Sequence, residues 1–180
     1  MTKKDVDGDG VPELFTGHDN FGKLSWQKFD NSPRRFLNPV LIPSAKGYAL
    51  SMDFGDLDGD GDEDIIASFE EGSNSRVVWF EKLDEGTDYG AEDTIYINSL
   101  YGIENVKAVD FDGDGDKDAF FYIRNGFPRG AFWCENLGNA VEFSPLITIS
   151  PESLHILLPH PTTWMAMEIL TSLPHGPTRI

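Results

Sequence analysis

The sequence predicts an all-β chain, a partial β-propeller of about three four-stranded blades followed by an irregular C-terminal tail. Three observations carry that expectation. A nine-residue acidic motif occurs three times without a gap, as "DVDGDGVPE" from Asp5, "DLDGDGDED" from Asp56 and "DFDGDGDKD" from Asp110. Its starts lie 51 and 54 residues apart, and a period of about 50 residues with four strands describes a propeller blade. Between the motifs lie short runs rich in Val, Ile, Phe, Tyr and Trp, bounded by Gly, Asn, Asp and Pro, which read as strands rather than helices. An ordinary antiparallel sandwich with acidic turns is the alternative, but it gives no reason for strand order and motif to repeat together.

In chain order, the first motif is followed by the apolar "LF" after Glu13, the tryptophan run "LSWQKF" with Trp26, and "PVLIPS" from Pro39. "YALSMDFG" from Tyr48 leads into the second motif; "IIAS" after Asp64, "VVWFEKL" with Trp79 and "TIYIN" from Thr94 follow it. "NVKAVDF" from Asn105 leads into the third, followed by "AFFYI" after Asp118, "AFWCENL" with Trp133 and "PLITIS" from Pro145. Each period thus supplies a strand before the acidic loop, one after it, a tryptophan strand and one more. The repeat region spans residues 1–150, with units of about 5–55, 56–109 and 110–150, and an atypical tail covers 151–180.

A formal charge of −17 with 39% hydrophobic residues describes an acidic chain that can still pack a core. Such a surface repels phosphate backbones and anionic lipid heads, which argues against nucleic acid and membrane surfaces as partners. No apolar run approaches the roughly 20 residues that span a bilayer. "MTKKDVDGDG" has no apolar stretch behind its lysines, so no export signal is read there. Cys134 is the only cysteine, which excludes an intrachain disulfide.

The acidic loops carry the chemistry. Close carboxylates repel one another at a cost on the order of 1 kcal/mol per pair even in water, and a hard divalent cation offsets that best. Calcium takes six to eight oxygen ligands and tolerates irregular geometry. In D-x-D-G-D-G-x-x-D the first, third and fifth carboxylates can turn inward, the glycines allow the sharp turn, and the seventh residue offers a carbonyl. The ninth closes the site from the start of the next strand. The expected ligands are Asp5, Asp7, Asp9, Glu13 and the Val11 carbonyl; Asp56, Asp58, Asp60, Asp64 and the Asp62 carbonyl; and Asp110, Asp112, Asp114, Asp118 and the Asp116 carbonyl. The side chains of Asp62 and Asp116 are expected to face solvent. Solvated acidic turns without an ion are the alternative.

An EF-hand needs a bidentate Glu at position twelve and flanking helices. That position holds Thr16, Ala67 and Phe121. Zinc favours Cys and His, which the loops lack; magnesium is the alternative ion, but it usually keeps several waters and shuns a dense carboxylate cage.

"FGDLDGDGDEDIIAS" from Phe54, "AVDFDGDGDKDAFFY" from Ala108 and "WCENLG" from Trp133 resemble the FG-GAP/VCBS repeat family, the calcium-loop repeats of integrin α-subunit propellers and of many secreted bacterial proteins. The asparagine typical of the last element survives only at Asn136; the other units have "WFEKL" and "WQKF". The resemblance covers residues 1 to about 150 and implies a β-propeller, usually seven-bladed, with calcium loops on one rim and an extracellular setting. It does not imply a ligand. Three units cannot close a propeller, so the sequence is expected to be a fragment, with the strand before its first loop missing or cut short.

The next loop is due near positions 161–164, where "TWMAMEILT" begins at Thr163. The motif D-M-D-G-D-G-D-L-D, back-translated with ordinary codons and read one base late, gives that same peptide. The tail is therefore expected to be a frameshifted fourth loop. A capping amphipathic helix with Trp164, Ile169 and Leu170 on one face is the alternative. On the frameshift reading His155, His160 and His175 have no catalytic or metal role, which leaves only His18 as a histidine to consider.

The expected function is a non-catalytic, calcium-stabilised propeller segment of a secreted protein, serving structure, adhesion or the binding of a protein or carbohydrate ligand. The alternative is a fragment of a secreted carbohydrate-active enzyme. Trp26, Trp79 and Trp133 could stack on sugars, but recurrence at one place in each unit favours a core between blades.

Overall fold

The computed structural model describes residues 1–18, 23–42, 47–83, 88–99, 102–125, 128–138, 140 and 142–151. The stretch from Thr163 expected to be a frameshifted fourth loop, with His155, His160 and His175, falls outside the described residues, and so does the side chain of His18.

The described residues are all-β. The strands are β1 (Thr2–Lys4), β2 (Glu13–His18), β3 (Lys23–Gln27), β4 (Phe29–Asp30), β5 (Arg35–Phe36), β6 (Val40–Leu41) and β7 (Tyr48–Gly55). They continue with β8 (Asp64–Glu71), β9 (Asn74–Lys82), β10 (Tyr89–Asn98), β11 (Ile103–Val109), β12 (Asp118–Ile123), β13 (Gly130–Cys134) and β14 (Ile147–Pro151). They form three antiparallel four-stranded sheets, ordered β1-β2-β3-β6, β7-β8-β9-β10 and β11-β12-β13-β14, and a separate ribbon β4-β5. Every four-stranded sheet therefore holds the strand before an acidic loop, the strand after it, the tryptophan strand and one more. The strand before the first loop is short, three residues against eight in β7.

Two departures from the sequence expectation have local causes. β10 begins at Tyr89, ahead of Thr94, because irregularities between Tyr89 and Glu92 and between Thr94 and Tyr96 keep it in register with β9. β4-β5 was not foreseen; Phe29 and Phe36 close it edge to face at 5.2 Å, and the Leu37 N–H donates to the Lys28 carbonyl at 2.9 Å.

The middle sheet is buried on both faces, which explains the unbroken apolar run after Asp64. Ile65, Ala67, Phe69, Val78 and Phe80 pack with Phe15, Leu24 and Trp26 of the first sheet. Their alternates Ile66, Val77 and Trp79 pack with Val106, Phe121 and Phe132 of the third. Trp26, Trp79 and Trp133 are 8, 7 and 9% exposed, too little to present a ring to a sugar. Their recurrence reflects packing.

The first strands of the second and third sheets lie side by side. Ser51 Oγ accepts from the Val106 N–H at 3.1 Å, and Asp53 pairs with Lys107 at 3.2 Å. Gly55 lets these sheets approach closely: a Cβ there would stand 2.7 Å from that of Ala108.

Candidate metal centre

Each acidic loop spans one hairpin in the same register. The paired residues that close it are Lys4 and Glu13, Gly55 and Asp64, and Val109 and Asp118. The ninth motif residue thus opens the second strand, where the sequence places it.

Within the loops, aspartate side chains fold the backbone through repeated Asx turns. Asp7, Asp58 and Asp112 each accept through Oδ1 from the N–H two residues on, at 3.1–3.2 Å. Asp9, Asp60 and Asp114 do the same at 2.8–3.0 Å. The first aspartate closes the turn from outside, with Asp5 Oδ2 accepting from Gly10 at 2.9 Å and Asp56 Oδ2 from Gly61 at 3.1 Å. The winding needs positive φ at both glycines, as at Gly59 (81°) and Gly61 (98°), where an added Cβ would meet nothing. The glycines serve conformation here, not space.

The result is convergence of oxygens. One carboxylate oxygen from each of Asp5, Asp7 and Glu13 lies within 4.8 Å of the others, and the same holds for Asp56, Asp58 and Asp64 and for Asp110, Asp112 and Asp114. Oxygens each about 2.4 Å from one ion can be at most about 4.8 Å apart, so each group fits one cation. Asp9 and Asp60 stand outside their triads, as does Asp118. The Asp62 side chain, expected in solvent, is instead partly covered and lies 3.7 Å from the Lys82 amine.

The ninth residue has a second task. Asp64 accepts from the N–H groups of Leu57 at 2.9 Å and Lys82 at 2.8 Å, and Asp118 from those of Phe111 at 2.9 Å and Asn136 at 2.8 Å. These carboxylates tie the second loop residue to the end of the tryptophan strand. Sequence reasoning left that second residue unassigned, although it is apolar in all three copies; Val6 and Leu57 are buried and anchor their loops. In the first loop Val6 N–H donates to Glu13 Oε2 at 3.0 Å, while buried Glu13 Oε1 has no hydrogen-bond partner. Asp5 Oδ1 is buried and unpartnered in the same way. Orphaned anionic oxygens on two members of an all-oxygen set are what a hard cation satisfies. The residues fit calcium.

Asn136 was noted in the sequence but given no task. Its amide donates to the carbonyls of Leu57 at 2.7 Å and Lys117 at 3.1 Å, and its Oδ1 accepts from Gly138 and Ala140 at 3.1 Å. It fastens the third sheet to the second acidic loop.

The hairpin register, the glycine-wound turns and the recurring carboxylates describe one repeating unit, and the comparison with known families agrees. Residues 5–67 match the FG-GAP-like repeat. The matched FG-GAP-like segment runs from the first acidic loop through the second and into β8. No curated protein matches the chain. Among the described residues no helix is long and apolar enough to cross a membrane.

Burial pushes the Asp64 and Asp118 carboxyls up to about 6 from an ordinary 3.8, and it also raises Glu13 and Asp58. A carboxyl whose folded pKa is raised favours the fold most below its unfolded pKa and loses that contribution as pH rises through the folded one. The Asp64 and Asp118 carboxylates then each oppose folding at neutral pH without a cation, by roughly 1–3 kcal/mol. In chelator, melting temperature is expected to fall as pH rises from 4 to 7; a flat or rising profile would contradict the burial argument.

Proposed function

We propose that this chain is a calcium-stabilised, non-catalytic segment of a β-propeller from an extracellular protein, with a structural, adhesive or ligand-binding role. Residues 1–150 form its repeat region. The observation that carries this reading is the triple convergence of carboxylates at one hairpin register, with the buried, unpartnered Asp5 Oδ1 and Glu13 Oε1 in one of them. Support for the propeller comes from successive sheets that pack through their buried faces, with the first strands of the second and third adjacent, as blades around a common axis do.

Calcium, when bound, supplies charge neutralisation and ties β1 to β2, β7 to β8 and β11 to β12. Asp5, Asp7 and Glu13 would hold it in the first loop, Asp56, Asp58 and Asp64 in the second, and Asp110, Asp112 and Asp114 in the third. Asp9, Asp60 and Asp118, with the Val11, Asp62 and Asp116 carbonyls, complete the proposed sets. Modules of this kind bind calcium at about 10⁻⁴–10⁻³ M, which suits a permanently filled structural site outside the cell.

Isothermal titration calorimetry tests this. Saturable calcium binding in that range is expected, with one site lost in Asp56→Asn and much weaker binding of magnesium. No binding at about 10 mM calcium, a hundredfold over the tighter bound, would refute the proposal.

A further inference from the structure

The three loops are not equivalent in what faces them. Two residues after the recurring tryptophan stand Glu81 in the second unit and Glu135 in the third, but Lys28 in the first. The Lys28 amine lies 2.6 Å from Asp9 Oδ2 and contacts Asp7 Oδ2 as well. Its backbone is held by the β4-β5 ribbon through the Leu37-to-Lys28 bond, and among the described residues such a ribbon follows only the first tryptophan strand. In the second loop the lysine pairs join Lys82 to the seventh residue, Asp62, and Lys4 to the eighth, Glu63, and neither to the triad. Among the described residues no ion pair reaches the triad of the third loop.

The first motif also has the fewest acids, Asp5, Asp7, Asp9 and Glu13, against six in the second and five in the third. One of them, Asp7, belongs to the converging triad and is also a partner of Lys28. In the same triad Asp5 Oδ1 and Oε1 of the fully buried Glu13 remain without partners. The ammonium therefore neutralises Asp7 and Asp9 and leaves Asp5 Oδ1 and Glu13 Oε1 unsatisfied.

We propose that Lys28 is a tethered competitor for the cation of the first loop, making that loop the last of the three to fill. This rests on the calcium reading above. A divalent ion entering the triad must displace the amine from Asp7 or bind beside its positive charge. At a few ångströms such repulsion is felt even in water, and an affinity about ten-fold lower follows.

Equilibrium dialysis with calcium alone tests the proposal on the full chain. The wild type should bind two ions per chain first and a third at about ten-fold higher calcium. Lys28→Met should bring the third ion level with the others, Lys28→Arg should leave it late, and Asp7→Asn added to Lys28→Met should abolish the gain. Three equal sites in the wild type, unchanged in Lys28→Met, would overturn the role of Lys28 while leaving the calcium reading intact. Absence of binding in every variant would overturn both.

Discussion

Adding calcium to chelated protein is expected to raise its melting temperature by 10 °C or more. A ligand that binds only the folded state at a hundred times its dissociation constant contributes about 2.7 kcal/mol per site. Two filled loops therefore supply about 5 kcal/mol, and a chain of this size gains about 2–4 °C per kcal/mol. The affinity itself has a physical source, because the cation-free loops carry a real cost. Asp64 and Asp118 are fully buried acids, and the orphaned oxygens of Asp5 and Glu13 face no donor. Thermal unfolding followed by circular dichroism, with chelator and with about 10 mM calcium, measures the difference. An unchanged midpoint would mean that the loops are satisfied without an ion.

The largest effect of a single substitution is expected at Asn136. Asn136→Ala removes two amide donations and two acceptances at a buried site. The Leu57 and Lys117 carbonyls and the Gly138 and Ala140 N–H groups lose their partner. Each buried group left unsatisfied costs about 1–3 kcal/mol, and partial access of water lowers the sum to roughly 3–5 kcal/mol. Because the Leu57 carbonyl belongs to the second acidic loop, the loss should also weaken calcium binding there. Chemical denaturation of the variant checks the first expectation and calcium titration the second. A variant within about 1 kcal/mol of wild type would show that the amide is not the fastener between sheet and loop.

Strand order and the acidic loops were legible in the sequence because they repeat. A motif that recurs three times fixes the hairpin register, and the residues that close each hairpin, Glu13, Asp64 and Asp118, stand where the motif places its ninth position. The tryptophans were legible as core for the same reason. What escaped depends on how separate sheets meet. The bond from Asn136 to Leu57 joins residues far apart in the chain, and no local pattern announces it. Lys28 reads as an ordinary surface residue until the hairpin places its amine against Asp7 and Asp9. The apolar second position of the motif was visible in Val6, Leu57 and Phe111, but its purpose emerges only when its N–H is seen to donate to the ninth carboxylate. The ribbon β4-β5 lies between the tryptophan strand and the fourth strand, in a stretch whose residues do not repeat from unit to unit, so the motif offered no template for it.

The most direct measurement is a crystal structure of the chain grown with calcium, with anomalous difference density calculated at long wavelength. One peak per loop is expected, about 2.3–2.6 Å from carboxylate oxygens of Asp5, Asp7 and Glu13, of Asp56, Asp58 and Asp64, and of Asp110, Asp112 and Asp114, with the first peak the weakest. Loops without density, their carboxylates turned apart into solvent, would contradict the account.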